Sequence, residues 1–190
     1  ADGGNASSLT AGNNSGGSGG GGRMAIYYDA AAQHGETPAL SISAAEGLAG
    51  GNFATYGGAA FGSPGTIRLP DTQLLRPSLE GGQYLIDGFT SWAPPSLTVT
   101  NGLAVFPPAF TLTVTGDVTT LAEGALFLTN STVMIGGSLS MATRPEICMR
   151  VYGGTSQSFT VASNCTVNQG HLWLMADPSN GVSVQVGGSA

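Results

Sequence analysis

Two near-copies of one alternating hexapeptide, LTVTNG at Leu97 and LTVTGD at Leu112, constrain this chain more than any other feature. They lie fifteen residues apart, and LFLTNS follows at Leu126. Each is an apolar/polar alternation of the kind a half-buried strand shows. Each ends in Asn or Gly, residues that accept the backbone angles of a tight turn. Short strands then continue to the end of the sequence: VMIGG, SLSM, ICMRV, SFTVASN, CTVNQG, HLWLM and VSVQVGG. Short strands at near-regular spacing build either a sandwich of hairpins or a solenoid whose strands stack in parallel. Copying favours the solenoid, because equivalent positions of successive coils meet the same surroundings and select the same residues. The expected class is therefore all-β, a parallel β-solenoid with a glycine-rich N-terminal segment; the alternative is a β-sandwich. Strands from Leu97 to Val186 should stack mainly in parallel, with Leu97, Val99, Leu112 and Val114 entering one core. Fifteen residues fit either two sides of one coil or a single compact coil.

The chain divides into three stretches by texture. Residues 1–22, ADGGNASSLTAGNNSGGSGGGG, have the composition of a flexible linker. Residues 23–95 carry strands such as MAIYYD, ALSISA, TIRL and QYLID among glycines and aromatic residues. Residues 96–190 form the regular section. No segment after Ser96 places apolar residues at helical spacing over three turns; DVTTLAEGAL comes nearest, and its Thr-Thr pair and Gly124 weaken it.

Composition then excludes several partners. Charged residues make up 8% of the chain, against about 25% in ordinary globular proteins. The basic residues are Arg23, Arg68, Arg76, Arg144 and Arg150, so there is no lysine. With net charge -6 and no basic run, nucleic acid and anionic membrane surfaces are poor partners. No apolar run approaches the roughly 20 residues of a membrane-spanning helix. The Ala-Asp-Gly start is compatible with a removed leader or with a piece of a larger protein.

The order of segments GGSGGGGRMAIYYD, SISAAEG, YGGAAFGSPGTIRLPD and GGQYLIDG, followed by the LTVT ladder, resembles a module of very large bacterial surface proteins. In those proteins a glycine-rich run leads into GGRIAIYY, a GTIYL-type strand and LTVTG-type strands. The likeness covers residues 16 to about 140; RPEICMRVYGG and HLWLMADPSNG lie outside it. It implies a right-handed parallel β-helix at the cell surface and says little of mechanism. It also implies that the glycine tract packs as turns or extended rungs, whereas composition alone suggests a loose tail.

Catalytic and metal chemistry find little footing. No two of the eleven acidic residues are closer than six positions, so no local acid/base pair stands out. Asp117 and Glu123, flanking one segment, are the nearest candidates for a pair formed by stacking. His34 and His171 lack ligand spacing, and GGSGGGG lacks the Lys-Ser/Thr end of a phosphate-binding loop. The expectation is no enzyme, no cofactor and no metal. Two surface features remain: a threonine row (Thr98, Thr100, Thr111, Thr113, Thr115, Thr119, Thr120) that a flat ice-binding face would use, and aromatic residues (Tyr27, Tyr28, Phe53, Tyr56, Phe61, Phe89, Trp92, Trp173) that could stack on sugars. Asn5, Asn130 and Asn164 are glycosylation candidates by the N-x-S/T rule.

Cys148 and Cys165 match no metal or redox motif. They are read as buried thiols or as a disulfide between neighbouring coils, which would contribute about 3 kcal/mol by loop closure and need an oxidising compartment. The last strand, VSVQV, presents Val182, Val184 and Val186 on one face without a guarding charge or proline. The functional expectation is an extracellular or cell-surface structural protein, a fibre, stalk or adhesin module that associates with itself through strand edges. A carbohydrate- or ice-binding module is the alternative.

Overall fold

A computed structural model describes residues 19–29, 32, 42–47, 63–86, 89–142, 145–151, 156–176, 178 and 181–189. Among them every regular element is a strand, and every strand pairing is parallel. Parallel pairing throughout excludes the hairpin sandwich and establishes the solenoid. There is accordingly no helix among the described residues that is long and apolar enough to cross a membrane.

The strands stack as three walls. The first holds the leading halves of β3 (Ser78–Ile86) and β5 (Leu97–Val105), then β7 (Val118–Leu121), β10 (Leu139–Ala142) and β13 (Cys165–Asn168). The second begins with β1 (Arg23–Ala25) and β2 (Thr66–Leu69) and takes the trailing halves of β3 and β5. It continues through β8 (Ala125–Thr129), β11 (Glu146–Val151) and β14 (His171–Ala176). The third holds β4 (Ser91–Trp92), β6 (Thr111–Val114), β9 (Thr132–Ile135), β12 (Ser156–Val161) and β15 (Gly181–Val186). β3 and β5 pair in both walls, on either side of the corner at Gly81 and Asn101.

The coil is longer than the hexapeptide spacing. Leu97 stacks on Val118 and Val118 on Leu139, twenty-one residues per coil, and Glu146 stacks on His171 after twenty-five. The two LTVT copies therefore occupy the first and third walls of one coil and do not lie above each other. Leu97, Val99, Leu112 and Val114 are nevertheless all buried in one core, as the alternation requires. The copying arises because both walls impose the same in/out alternation and favour the same β-branched residues.

Alternation sorts each wall into inward and outward columns. Leu79, Val99, Thr120, Met141 and Val167 form one inward column of the first wall. Met24, Ile67, Tyr84, Ala104, Leu126, Ile147 and Leu172 form one of the second. Trp92, Leu112, Val133, Phe159 and Val184 form one of the third. Where the second wall turns towards the third, Phe106 and Phe110 fill the interior with ring centroids 4.7 Å apart. Phe89 packs edge-on to Phe110 at 6.1 Å.

Thr120 is the exception in its column. It is fully buried and its Oγ1 has no hydrogen-bond partner. A buried hydroxyl left unpaired costs about 1–3 kcal/mol. Thr120→Val keeps the branched shape and removes the stranded group, so it should stabilise the chain by about 1 kcal/mol, read as a rise in the denaturant midpoint at unchanged m-value.

Corners repeat from coil to coil. Between the first and second walls the backbone turns through positive φ at Gly81 (57°), Asn101 (47°), Ala122 (45°), Glu123 (65°) and Gln169 (60°). Immediately before each second-wall segment stands a column of Gly22, Gly65, Gly82, Gly102, Gly124, Pro145 and Gly170. The residue after it donates its N–H to the column residue one coil earlier: Thr66 to Gly22 at 3.1 Å, Gln83 to Gly65 at 2.7 Å, Glu146 to Gly124 at 3.0 Å and His171 to Pro145 at 3.0 Å. Within residues 19–22 the glycine tract is part of the solenoid, with Gly21 N donating to Ser63 O at 2.9 Å and Gly47 N to Gly19 O at 2.9 Å. The rest of the tract lies outside the described residues.

At the corner between the third and first walls, side-chain carbonyls tie successive coils. Asp117 Oδ1 accepts the N–H of Ser138 at 2.7 Å, and Asn164 Oδ1 accepts that of Ser189 at 3.0 Å. Both sit beneath a Gly-Gly-Ser run, 136–138 and 187–189, where a glycine Cβ would meet the Asx oxygen.

Candidate functional site

The last coil (β13, β14 and β15) ends each wall of the described structure. Its inward residues continue the core columns, but nothing in the described structure covers their far side. Val167 continues the column of the buried Met141 yet is 43% exposed. Val184 continues that of the buried Phe159 yet is 49% exposed. Leu172, Leu174 and Val182 pack against the core but are only half-buried. Of the three valines singled out in the sequence, Val182 and Val186 are half-buried and Val184 is exposed, all on β15. The open surface therefore spans the end coil and includes β13 and β14 as well as the terminal strand.

This edge has a regular beginning for one more rung. Leu97 N donates to Asp117 O at 3.0 Å, Val118 N to Ser138 O at 2.9 Å and Leu139 N to Asn164 O at 2.8 Å. Cys165 N donates in the same way to Ser189 O at 2.8 Å. Ser189 thus holds the position from which each earlier first-wall strand sets out.

The outer face of the second wall carries the exposed aromatic residues. Ala25, Arg68, Leu85, Val105, Phe127, Cys148 and Trp173 form one outward column. Trp173 is 47% exposed, and its ring lies 5.5 Å from that of His171, two residues away on the same face of β14. Tyr27, beyond β1 at the opposite end of this wall, is 79% exposed. Trp92 is buried, and Tyr28 and Phe89 pack against the core. Phe53, Tyr56 and Phe61 lie outside the described residues. Tyr28 donates its hydroxyl to Asp71 Oδ1; burial first, then this carboxylate, raises its pKa.

Cys148 and Cys165 are free thiols in this structure, one of the two readings the sequence left open. Their directions explain it. Cys165 packs against the core from the first wall. Cys148 alternates with the core residues Ile147 and Met149, which puts it on the outer side of the second wall, buried between its column neighbours Phe127 and Trp173. Partial burial raises the pKa of the Cys165 thiol.

The threonine row separates into parts. Thr98 and Thr119 share an outward column of the first wall with Ser78, Ser140 and Thr166. The next outward column there reads Glu80, Thr100, Leu121, Ala142 and Asn168. Thr111 and Thr113 belong to the third wall, Thr115 to the corner beyond it, and Thr120 to the core. The hydroxyls on the first wall therefore make one regular column. Asp117 and Glu123 sit at the two ends of β7, at different corners. Among the described residues no three His, Cys, Asp or Glu side chains form a cluster that could hold a metal ion. His34 and Asn5 lie outside the described residues. Asn130 turns a corner at φ 51°, and Asn164 is exposed with its Oδ1 bonded to Ser189.

A cleft of about 160 Å³ lies beside the 70–77 loop, lined by Leu74, Leu75, Arg76, Glu80 and Tyr84 among others. Its polar lining residues are Arg76, Ser78, Glu80 and Tyr84. The Tyr84 hydroxyl lies 2.9 Å from Glu80 O and 3.1 Å from Ile42 O, and burial raises its pKa. That hydroxyl is engaged in holding backbone. Compared with protein-family models, with curated proteins and with solved structures, the chain matches none of them.

Proposed function

We propose that this chain is a structural module of an extracellular or cell-surface fibre, stalk or adhesin, and that it associates with copies of itself through the strand edges of its solenoid. The observation that carries this reading is the end coil, where Val167 and Val184 stand 43% and 49% exposed in columns whose earlier members are buried. Burying half-exposed apolar side chains is favourable at roughly 25 cal/mol per Å², and edge strands offer unpaired backbone groups besides. Soluble proteins usually guard such edges with charge, above all lysine, and this chain has none. The resemblance to bacterial surface modules and a surface built of hydroxyls, amides and glycine backbone fit an external structural part.

Sedimentation velocity over a concentration series tests the association. The full chain should show a growing series of oligomers, and Val184→Lys should remain monomeric with an unchanged far-UV spectrum. Lysine at this position is a cleaner probe than deleting residues 182–190, which would strip the cover from the buried Phe159 and Val161. A full chain that stays a monodisperse monomer at high concentration, or a Val184→Lys variant that polymerises like the parent, would overturn the reading.

A further inference from the structure

Among the described residues the second wall runs further than the others. Its ladder begins at β1 and ends at β14 in seven rungs, whereas the first described rungs of the first and third walls are β3 and β4. Its columns are straight through all seven rungs. Arg23, Thr66, Gln83, Leu103, Ala125, Glu146 and His171 make one outward column, and the inward column from Met24 to Leu172 lies beside it. A copy displaced along the axis therefore arrives with its columns already in phase.

Resting on the self-association reading above, we propose that copies stack head to tail along this wall. In that arrangement β1 of one copy adds in parallel as the rung after β14 of the previous copy, with Arg23 over His171, Met24 over Leu172 and Ala25 over Trp173. Three features of the two edges support this register. First, the in/out phase agrees: Ile26 packs against the core at one edge and Leu172 and Leu174 at the other, all half-buried among the described residues. Second, the glycine column closes across the junction, because Gly170 precedes β14 and Gly22 precedes β1. Within the chain that column lets backbones approach so closely that a Cβ at Gly65 would overlap Gly22 O and stand 2.6 Å from Gly21 C. The junction would repeat the chain's own bond, with Arg23 N of the next copy donating to Gly170 O as Thr66 N donates to Gly22 O. Third, the exposed large side chains of the outer face gather at these two edges: Tyr27 at one, Trp173 and Met175 (38% exposed) at the other. Continuing the columns puts Tyr27 beside Met175 and diagonal to Trp173, a spacing over which aromatic side chains still touch. A head-to-tail contact of this kind does not close on itself, so it propagates as a filament.

Neighbouring strands lie about 4.8 Å apart, within the Cα separation a disulfide spans. Tyr27→Cys and Met175→Cys variants, both at exposed outward positions, are mixed, oxidised and digested, and the cross-linked peptides are identified by mass. The expected product joins position 27 of one copy to position 175 of another. Links that join 175 to 175 or 27 to 27 in place of it would overturn the head-to-tail register while leaving self-association standing. Absence of any link in material that sediments as polymer would likewise reject the register. Absence of polymer altogether would reject the association reading on which it rests.

Discussion

Val114→Asp is expected to abolish cooperative folding near neutral pH. Val114 stacks on Ile135 in the third wall, and both are buried in the core, as is Val161 in the next coil. A carboxylate there meets apolar stacking neighbours among the described residues, and an uncompensated buried charge costs about 3–5 kcal/mol. That is comparable with the whole stability of a typical domain, about 5–15 kcal/mol. The group can escape part of the cost by taking up a proton, so its folded-state pKa lies above the unfolded value of about 3.9. The folded form then binds more protons than the unfolded one, and stability falls as pH rises through that interval. The variant should be measurably more stable at pH 4 than at pH 8 relative to the parent at the same pH. Two controls locate the effect. Thr113→Asp, outward on the same strand, should cost about 0.5 kcal/mol. Val184→Asp, inward but half-open in the last coil, should cost far less than Val114→Asp. Equal losses at positions 113 and 114 would mean that the alternation does not define the core.

Alternation, the absence of helix and the parallel stack are legible in the sequence because each depends on local patterning. Coil length is not, because the eye follows identity, and identity here links different walls. Thr98 and Thr113 hold the same place in the two copies but lie on separate walls, while the true stacking partners Val99, Thr120 and Met141 differ in shape. A better signal was present. Gly-x-Φ-x-Φ, with Φ apolar, recurs at Gly22, Gly65, Gly82, Gly102, Gly124 and Gly170, with Pro145 standing in once. These positions open the second-wall segments, but the same pattern at Gly137 opens the first-wall strand β10, so it gives the coil only once the walls are known. The signal is easy to miss because glycine is frequent throughout this chain, 31 of 190 residues. The cysteines show a second limit. Sequence separation suits a bridge between neighbouring coils, but the parity of each cysteine within its strand decides the outcome. Cys165 falls on an inward position and Cys148 on an outward one. The open end coil was legible only in part: the apolar face of VSVQV marks one strand, whereas the exposure of Val167 follows from its column and not from its neighbours in sequence.

The glycine column itself should be the second point of large sensitivity. Gly124 stands at its centre, with coils on both sides, and its backbone passes close to that of the preceding coil. A Cβ at this position would overlap the carbonyl oxygen of Val99, with the Val99 carbonyl carbon at 2.7 Å and Leu121 O at 2.9 Å. All three are backbone atoms, so no side chain can swing away to make room. Relief requires the two coils to part locally, which breaks bonds between them beside the corner, such as Asn101 N to Ala122 O at 3.0 Å. Each backbone bond lost in a buried site costs about 1–3 kcal/mol, so Gly124→Ala should destabilise the chain by about 3 kcal/mol or more. Backbone entropy acts in the opposite direction: alanine loses less freedom on folding than glycine, a gain of roughly 0.4–1 kcal/mol where the conformation is compatible. The steric term is the larger, so the net sign is a loss. Gly20, whose added Cβ would meet Ser63 O at an ordinary 3.4 Å, gives the comparison: Gly20→Ala should be neutral or slightly stabilising. Chemical denaturation of the two variants separates these outcomes, and equal midpoints would show that close approach along the column does not hold the coils together.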